Sequence, residues 1–364
     1  MSEIKVNSIR HNNNDGVVSI GNSAVMLPKG TTAQRPSGVA GQIRYNTTTN
    51  RVEFHNGTDW YTFKDNSFVA TGGSTSSFGA YTLHTFTSSG TFTVQGQGII
   101  DIFVVAGGGQ GGQPGALSNY GGGGGAGGLV WYTGFNVSAG SYSIVVGLGG
   151  AQTSTGSGNR QGNDGQDSTA FGLTAKGGGG GGGQASGNAY DDGRDGGSGG
   201  GGAYPYTNVT GDAPGGSATQ PSQSNSLASG TLVYNLGNAG GGGDYNPNSG
   251  GGGGGAGGAG QKGDPSVVPH GGAGYDMSTI LGTSVGDSGW FCGGGGGSNQ
   301  TGYPVPYGNG GSGNNGGAGQ GGNYNNALST AGQASTGGGG GAGTSQIGGR
   351  GGGSGVVIVR YLTT

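Results

Sequence analysis

The chain has 364 residues, of which 103 are glycine, and its formal net charge is -3. So few cations argue against nucleic-acid binding and a polybasic membrane anchor, since both need clustered Lys and Arg. The single cysteine, Cys292, excludes an intrachain disulfide framework. The sequence contains no run of about 18 apolar residues, which a membrane-spanning helix would need. The N-terminal segment MSEIKVNSIRHNNN lacks the apolar segment of a secretory signal.

Residues 1–65 carry 12 of the 29 charged side chains, a higher density than in the rest of the chain, and predict a small β domain. The stretch GQIRYNTTTNRVEFHNGTDWYTF, Gly41 to Phe63, alternates apolar with polar residues, and Asn56-Gly57 is a strong hairpin signal. A β meander is therefore predicted here. Because so short a segment hardly makes a core alone, we expect 1–65 to serve in attachment and oligomerisation.

A mostly polar Ser, Thr and Gly segment predicts a linker over 66–83. Near-continuous apolar runs at 99–105 and 356–361 predict strands that are buried on both faces. Further strands are predicted at 128–137 and 141–150. No segment has helical periodicity, so we expect 84–364 to form a glycine-rich domain that the first and last strands close.

Glycine is concentrated after residue 103: 12 of the 103 glycines precede Val104, which leaves 91 in the last 261 residues. A flexible linker is one interpretation, because Gly-rich chains behave as random coils. Aromatic interruptions such as DSGWFCG and the bracketing strands favour an ordered structure. Collagen is excluded because a strict G-X-Y period is absent. The glycine tracts lie at 106–112, 121–128, 177–183, 196–202, 240–243, 250–260, 293–297, 308–322, 337–343 and 348–353.

Such tracts can form polyproline II helices, which have about three residues per turn and point every N–H and C=O outward. Without Cβ atoms, neighbouring helices can approach until these groups pair between them. We therefore predict a mostly irregular and β fold without significant α-helix, in which a small sheet closes a bundle of about ten polyglycine II helices. The purest tracts, 177–183, 250–255 and 293–297, should be buried, and 308–322 should lie outside.

If successive rods run in opposite directions, the loops that connect them lie alternately at the two ends of the bundle. An even number of rods returns the chain to the end at which it entered. The loops expected away from the N-terminal domain are 113–120, 184–195, 244–249, 298–307 and 344–347. Tyrosine with Ser, Gly and Asn is typical of recognition loops, although tyrosines can also merely cover the rods. The predicted receptor-binding residues are Tyr120, Tyr190, Asp191, Asp192, Tyr245, Tyr303 and Tyr307. The residues expected to pack at the opposite end are Tyr204, Tyr206, Tyr234 and Tyr275.

Candidate catalytic residues are few. Matches to GxGxxG arise by chance in so glycine-rich a sequence. Cys292, His270 and Asp276 or Asp287 could form a nucleophilic set, but a buried structural cysteine is the favoured interpretation. No glutamate follows Glu53, which removes paired glycosidase carboxylates. We predict no enzyme and no catalytic residue.

Candidate metal ligands are equally scarce. The four histidines lack metal-ligand spacing. Asp191, Asp192 and Asp195 could hold Ca²⁺, although a solvated loop is favoured. We predict no metal site and no cofactor.

Two sequence patterns carry a resemblance. MSEIKVNSI and LPKGTTAQRPSGVAGQIRYNTTTNRVEFHNGTDW resemble N-terminal segments of tail-fibre and related structural proteins of marine bacteriophages. GTFTV, GIIDIFVVAGGGQGG, SYSIVVGLGG and GGSGVVIVRY are together similar to the glycine-rich domain of phage fibre proteins. The design is also similar to the tip adhesins of T-even-like phages, in which polyglycine rods alternate with host-binding loops. Those adhesins are separate tip proteins, whereas here a fibre-like N-terminal segment shares the chain.

The resemblance implies a tail-fibre adhesin of the virion, synthesised in the host cytoplasm. Its implied partners are a host surface glycan or outer-membrane protein and other virion tail proteins, with homotrimer formation through the N-terminal domain and no nucleic acid or membrane insertion. Alternatives are a purely structural virion protein, an extracellular glycine-rich filament and an ice-binding rod bundle. A depolymerase is disfavoured because acidic pairs are scarce.

Overall fold

The chain separates into two compact units, Met1–Asn66 and Ser67–Thr364. The structure, a computed structural model, describes residues 26–63, 67–114, 120–153, 161–184, 190–205, 212–220, 229–245, 248–264, 269–299, 316–322, 329–344 and 348–363.

The first unit contains a four-stranded sheet in the order β1-β2-β3-β4. Its strands are β1 (Lys29–Gly30), β2 (Ile43–Asn46), β3 (Arg51–His55) and β4 (Trp60–Thr62), with a 3₁₀ turn at Thr32–Gln34. β2, β3 and β4 pair in antiparallel fashion, and β1 pairs with β2 in parallel. The predicted meander is confirmed.

One face of this sheet is buried and polar. Its buried residues are Arg44, Asn46, Glu53 and His55. Glu53 is fully buried and accepts hydrogen bonds from Arg35 Nη2 at 2.8 Å and Asn46 Nδ2 at 3.0 Å, while Arg44 Nε lies 3.6 Å from the carboxylate. The hydrogen bond from Arg35 is the main cause that lowers the pKa of Glu53 below its usual value. The described part of the first unit thus encloses a charged network and buries no apolar side chain to the same extent.

The second unit is built on a nine-stranded sheet. Its main order is β11-β10-β9-β8-β15-β7-β6, β12 also pairs with β9, and β5 with β8. The strands are β5 (Val69–Thr71), β6 (Ser74–Phe78), β7 (Tyr81–Phe86), β8 (Gly90–Val105), β9 (Leu129–Val145), β10 (Ser168–Ala170), β11 (Leu173–Ala175), β12 (Thr231–Leu236) and β15 (Val356–Leu362). A separate pair, β13 (Tyr275–Asp276) and β14 (Trp290–Phe291), flanks the four-residue helix α1 (Ser278–Leu281).

The structure changes two expectations for this part of the chain. The segment expected to be a linker contains β5, β6 and the start of β7, because its Ser- and Thr-rich residues form exposed outer strands. The two strands expected at 128–137 and 141–150 are one continuous strand, β9, which ends at Val145. The predicted mostly β and irregular fold, with almost no helix, is confirmed.

The two ends of the glycine-rich region pair as predicted, with Val356 opposite Val105 and Arg360 opposite Asp101. Alternate residues of β8 and β15 enter two different cores. Ile102, Val104, Val357 and Val359 belong to one, and Phe103, Val105, Val356 and Ile358 to the other. Burial on both faces explains why these strands are apolar without interruption.

The glycine tracts run as rods away from the sheet and back. The rod 106–112 donates backbone hydrogen bonds to three neighbouring rods in rotation: Ala106 to Gly128, Gly107 to Gln166, Gly108 to Gly353, and then Gly109 to Gly125. A period of three is that of the polyproline II helix. Three other rods donate to the same rod, through Gly150, Gly178 and Gly340. Rod 106–112 is therefore surrounded by six neighbours, as in a hexagonal array.

The predicted number of ten rods is too low, because segments with fewer glycines also form rods. The tract 250–260 reverses near 257, so that Gly255 N–H donates to Gly258 O. Residues 190–195 were expected in a loop, but they pair with rod 177–183. Gly183 N–H donates to Tyr190 O, and Arg194 N–H donates to Gly180 O. Additional rods lie at 147–151, 162–166, 190–197, 213–219, 258–263, 269–273 and 330–333.

Burial follows the expectation for the three rods that are nearly pure glycine. The residues 177–183, 250–255 and 293–297 are buried throughout. The expectation that 308–322 lies outside is wrong for its described part: five of the seven residues 316–322 are buried, because this segment pairs with a neighbouring rod through bonds such as Gly319 N–H to Gly339 O. Residues 308–315 lie outside the described residues.

Close rod spacing requires glycine. A Cβ on Gly124 would lie 2.2 Å from the carbonyl oxygen of Gly109. The Gly124 N–H also donates to Gly340 O at 2.9 Å, and its carbonyl accepts from Gly295 N–H at 2.8 Å. A side chain here would separate rods whose backbone groups are already paired.

We predict that Gly124→Ala lowers the free energy of unfolding by at least about 3 kcal/mol, because the backbone of rod 106–112 cannot move aside without breaking its other hydrogen bonds. Gly258→Ala is the matched control, since the nearest heavy atom to its Cβ would be 3.8 Å away. Denaturant unfolding followed by circular dichroism measures both. Equal stability of the two variants would contradict the close-packed rods.

We predict that Glu53→Gln destabilises the first unit by about 3 kcal/mol at neutral pH, because Arg35 and Arg44 lose their counterion. Folding lowers the pKa of Glu53, so its ionised form stabilises the unit above the usual carboxyl pKa of about 4.3, and this stability is lost as pH falls through the folded value. In 5-fluorotryptophan-labelled protein, the ¹⁹F resonance of Trp60 reports unfolding of this unit. Asp59→Asn, an exposed carboxyl in the same unit, is the control. A Glu53→Gln unit with the wild-type stability profile from pH 3 to 7 would show that the buried charge is dispensable.

Candidate functional site

Several rods end together at the side of the bundle away from the nine-stranded sheet, which we call the far end. There Gly183 N–H donates to Tyr190 O, and Tyr204 N–H donates to Tyr120 O. Isolated bridges join Tyr120 to Thr344 and Ser249 to Asn299. The described ends of the five loops in the predicted receptor-binding set therefore meet on one surface.

Three tyrosines form a row at the far end: Tyr120, Tyr204 and Tyr245. The rings of Tyr120 and Tyr204 meet edge to face at 6.3 Å between centroids, and those of Tyr204 and Tyr245 stack at 5.7 Å with 16° between planes. Tyr120 is only 1% exposed, whereas Tyr245 is 37% exposed. The side chain of Tyr120 thus supports the row from beneath, and Tyr245 forms its accessible end.

The expectation that Tyr204 packs at the opposite end is wrong. Residues 190–195 form an additional rod that returns to the sheet, so the next rod, 196–202, runs outward and ends at the far end with Tyr204. Loss of solvent and the proximity of Tyr245 raise the pKa of Tyr204. Tyr234 and Tyr275 do lie near the sheet, with rings 4.9 Å apart against the second core. Tyr206 lies outside the described residues.

The acidic residues expected to contact a receptor have different surroundings. Asp191 is buried, and its carbonyl accepts a hydrogen bond from Ala203 N–H, so its side chain is not part of the surface. Asp192 is exposed, and partial desolvation raises the pKa of its carboxyl. Tyr190 is half-buried. The accessible residues are therefore Tyr190, Asp192 and Tyr245; Tyr303 and Tyr307 lie outside the described residues.

An ion cluster that sequence analysis missed lies beside the tyrosine row. Lys262 Nζ forms an ion pair with Asp212 and lies 3.6 Å from Asp244 Oδ2, and Asp244 immediately precedes Tyr245. The hydrogen bond to Asp212 is the main cause that raises the pKa of Lys262. No spacing signal joins these residues, because three different rods bring them together. The far end thus presents an aromatic ring next to a fixed pair of opposite charges.

The possible nucleophilic set is not assembled. Cys292 is fully buried beside Phe291, and burial raises the pKa of its thiol. His270 lies on rod 269–273, which runs beside rod 293–297. Two hydrogen bonds join these rods, from Gly297 N–H to Pro269 O and from Gly294 N–H to Gly272 O. At ~3.1 Å per residue, these pairs separate His270 from Cys292 by roughly 12 Å along the rods.

The remaining candidate carboxylates have structural partners. Asp276 accepts a hydrogen bond from Ser278 N–H, and Asp287 accepts one from Gly317 N–H. Asp195 accepts one from Ser217 N–H at 2.6 Å. Within the described residues, no three His, Cys, Asp or Glu side chains cluster so that they could hold a metal ion. In the same residues, no helix has the length and apolar character to cross a membrane.

Comparison with known proteins places most of the second unit in one family. The model of a family described as a glycine-rich domain matches residues 85–362. No curated protein matches the chain.

Proposed function

The chain belongs to the glycine-rich domain family, and from this premise we propose that it is a phage tail-fibre adhesin whose far end binds a host surface receptor. Its place would be the distal part of the fibre in the virion. The observation that carries the proposal is the convergence of the rod ends on one surface, where Tyr245 is accessible beside Lys262 and Asp244. Tyrosine supplies a large, rigid contact area at low entropic cost, which suits recognition.

The rods support a display role because they are stiff. Hydrogen bonds from several directions fix each interior rod, so its end keeps its position when the connecting loop changes sequence. The resemblance to phage fibre segments supports the choice of a host receptor, either a glycan or an outer-membrane protein. No reaction is proposed, since the candidate nucleophile is buried and apart from its possible base.

We propose further that the chain forms a homotrimer through its first unit. The sheet face opposite the charged network carries Ile43, Phe54, Tyr61 and Phe63. Ile43, Tyr61 and Phe63 are 45%, 47% and 52% exposed. The Phe54 ring lies 5.8 Å from that of Tyr61 and 5.2 Å from that of Phe63, which makes the patch continuous. An uncharged apolar face on a unit with a polar interior can be buried against the same face of two further copies around a three-fold axis.

Receptor binding is tested with fluorescently labelled full-length protein and a panel of marine Gram-negative bacteria, counted by flow cytometry. We expect at least one strain to bind, and Tyr245→Ala and Tyr190→Ala each to weaken binding at least about tenfold, as for a central aromatic contact. Val233→Ala, which changes an exposed residue on β12, should bind normally. Absence of binding to every strain would favour a structural role in the virion. Binding unaffected by both tyrosine variants would remove the far end as the site.

Trimer formation is tested by sedimentation equilibrium of the full-length chain. We expect a trimer, and we expect the double variant Ile43→Ser, Phe63→Ser to be monomeric because it removes apolar area from the patch. Val39→Ser, at an exposed residue of the same unit outside the sheet, is the control and should remain trimeric. A monomeric wild-type chain would refute the assembly.

A further inference from the structure

A cavity of 420 Å³ lies where β15 ends beside β7 and the middle of β8. Its aromatic walls come from Phe68, Tyr81 and Tyr361, and its polar lining includes Asp101 and Arg360. The volume falls within the range of about 300–1,000 Å³ that is usual for small-molecule sites. Neither the family match nor the far-end surface assigns it a role.

An ion pair between Asp101 and Arg360 lines the cavity. Arg360 Nε donates to Asp101 Oδ2 at 2.9 Å, and Arg360 Nη1 donates to the carbonyl of Ile280 at 2.6 Å. The guanidinium lies 4.2 Å from the ring centroid of Tyr81 and 4.9 Å from that of Trp131. Both charged side chains are mostly buried, and they retain further donor and acceptor positions because a guanidinium has five N–H groups and a carboxylate about four lone-pair sites.

Irregularities of the sheet set the position of these groups. The register of β8 and β9 shifts between Ile100 and Ile102, opposite Gly134, which has a φ of 72°. The Gly134 N–H donates to Asp101 Oδ1 at 3.0 Å and fixes the second carboxylate oxygen. Bulges of this kind often orient a side chain at a functional site.

The aromatic wall also depends on a glycine. A Cβ on Gly98 would come within 2.5 Å of the Phe68 ring, so only glycine lets that ring lie against β8. Phe68 in turn meets the Tyr361 ring edge to face at 4.7 Å. Tyr361 Oη is 3.1 Å from His84 Nε2, and His84 Nδ1 is 2.7 Å from Gly72 O. If His84 Nδ1 donates to that carbonyl, Nε2 is the acceptor and Tyr361 the donor, which fixes the Tyr361 ring.

We propose that this cavity binds a neutral saccharide ring. Sugar rings combine apolar C–H faces, which pack on aromatic rings, with hydroxyl groups that both donate and accept hydrogen bonds. The cavity supplies both requirements: aromatic walls, a carboxylate acceptor, a guanidinium donor and the amide of Gln97. Because Asp101 and Arg360 neutralise each other, the site favours an uncharged ligand over an anion. The site lies at the sheet side of the unit and does not depend on receptor binding at the far end.

The test is saturation-transfer difference NMR of the full-length chain with D-glucose, D-galactose, D-mannose and N-acetyl-D-glucosamine. We expect at least one sugar to bind, and we expect Asp101→Asn to weaken its affinity at least about tenfold, as for loss of a charge-assisted hydrogen bond. Leu362→Ser at the cavity rim should also weaken binding. Leu148→Ser is the matched control, because both leucines are 61% exposed and Leu148 lies outside the cavity.

Leu362→Ser keeps the test informative if Asp101→Asn fails to fold, since it changes only an exposed side chain. Failure of all four sugars to bind would overturn the proposal. The proposal would also be overturned if Leu362→Ser and Leu148→Ser weakened sugar binding equally. If no sugar binds and Leu362→Ser instead lowers the sedimentation mass of the chain, the cavity is covered by a second copy and the saccharide assignment is wrong.

Discussion

Amide groups in the glycine rods are paired sideways, from rod to rod, and this pairing dictates both the shape of the bundle and its composition. An isolated polyproline II helix has no internal hydrogen bonds. Here Gly124, Gly125 and Ala126 donate in turn to Gly340, Gly179 and Gly254, which lie on three different rods. Ordering so much glycine is entropically costly, and many cooperative inter-rod bonds offset that cost together. Glycine is needed wherever a rod faces another rod's carbonyls.

The sheet performs a complementary task, because the rods themselves bury few side chains. Apolar residues of β8, β9 and β15 form two cores at one end of the bundle. Pairing of β8 with β15 joins the beginning and end of the glycine-rich region, so that hydrophobic burial stabilises one end while backbone hydrogen bonds stabilise the rest. The opposite end is left free for side chains of other kinds, and there Tyr245 and Lys262 lie.

Local patterns were enough to predict the bracketing strands and the N-terminal meander, since apolar alternation and Asn56-Gly57 are signals within one element. Rods with few glycines were missed for a physical reason. In 162–166, Cβ atoms on Gly162 and Gly165 would lie 2.0 Å from carbonyl oxygens of rod 106–112. A rod at the surface therefore needs glycine only at every third residue, and Asp164 between them is exposed. The missed rod at 190–195 also misplaced Tyr204, because it reverses the direction of the next rod, 196–202. The ion cluster of Lys262 could not be predicted, because separate rods assemble it.

Hydrogen exchange of the interior rods tests the sideways pairing most directly. In native full-length protein, amide exchange measured by mass spectrometry on peptides that cover 121–128 reports whether those N–H groups are bonded. The paired rods predict exchange only through opening of the whole unit, with protection equal to that of the β8 core strand. Exchange of these glycines at the rate of an unstructured peptide, while β8 stays protected, would contradict the bundle and the surface that it supports.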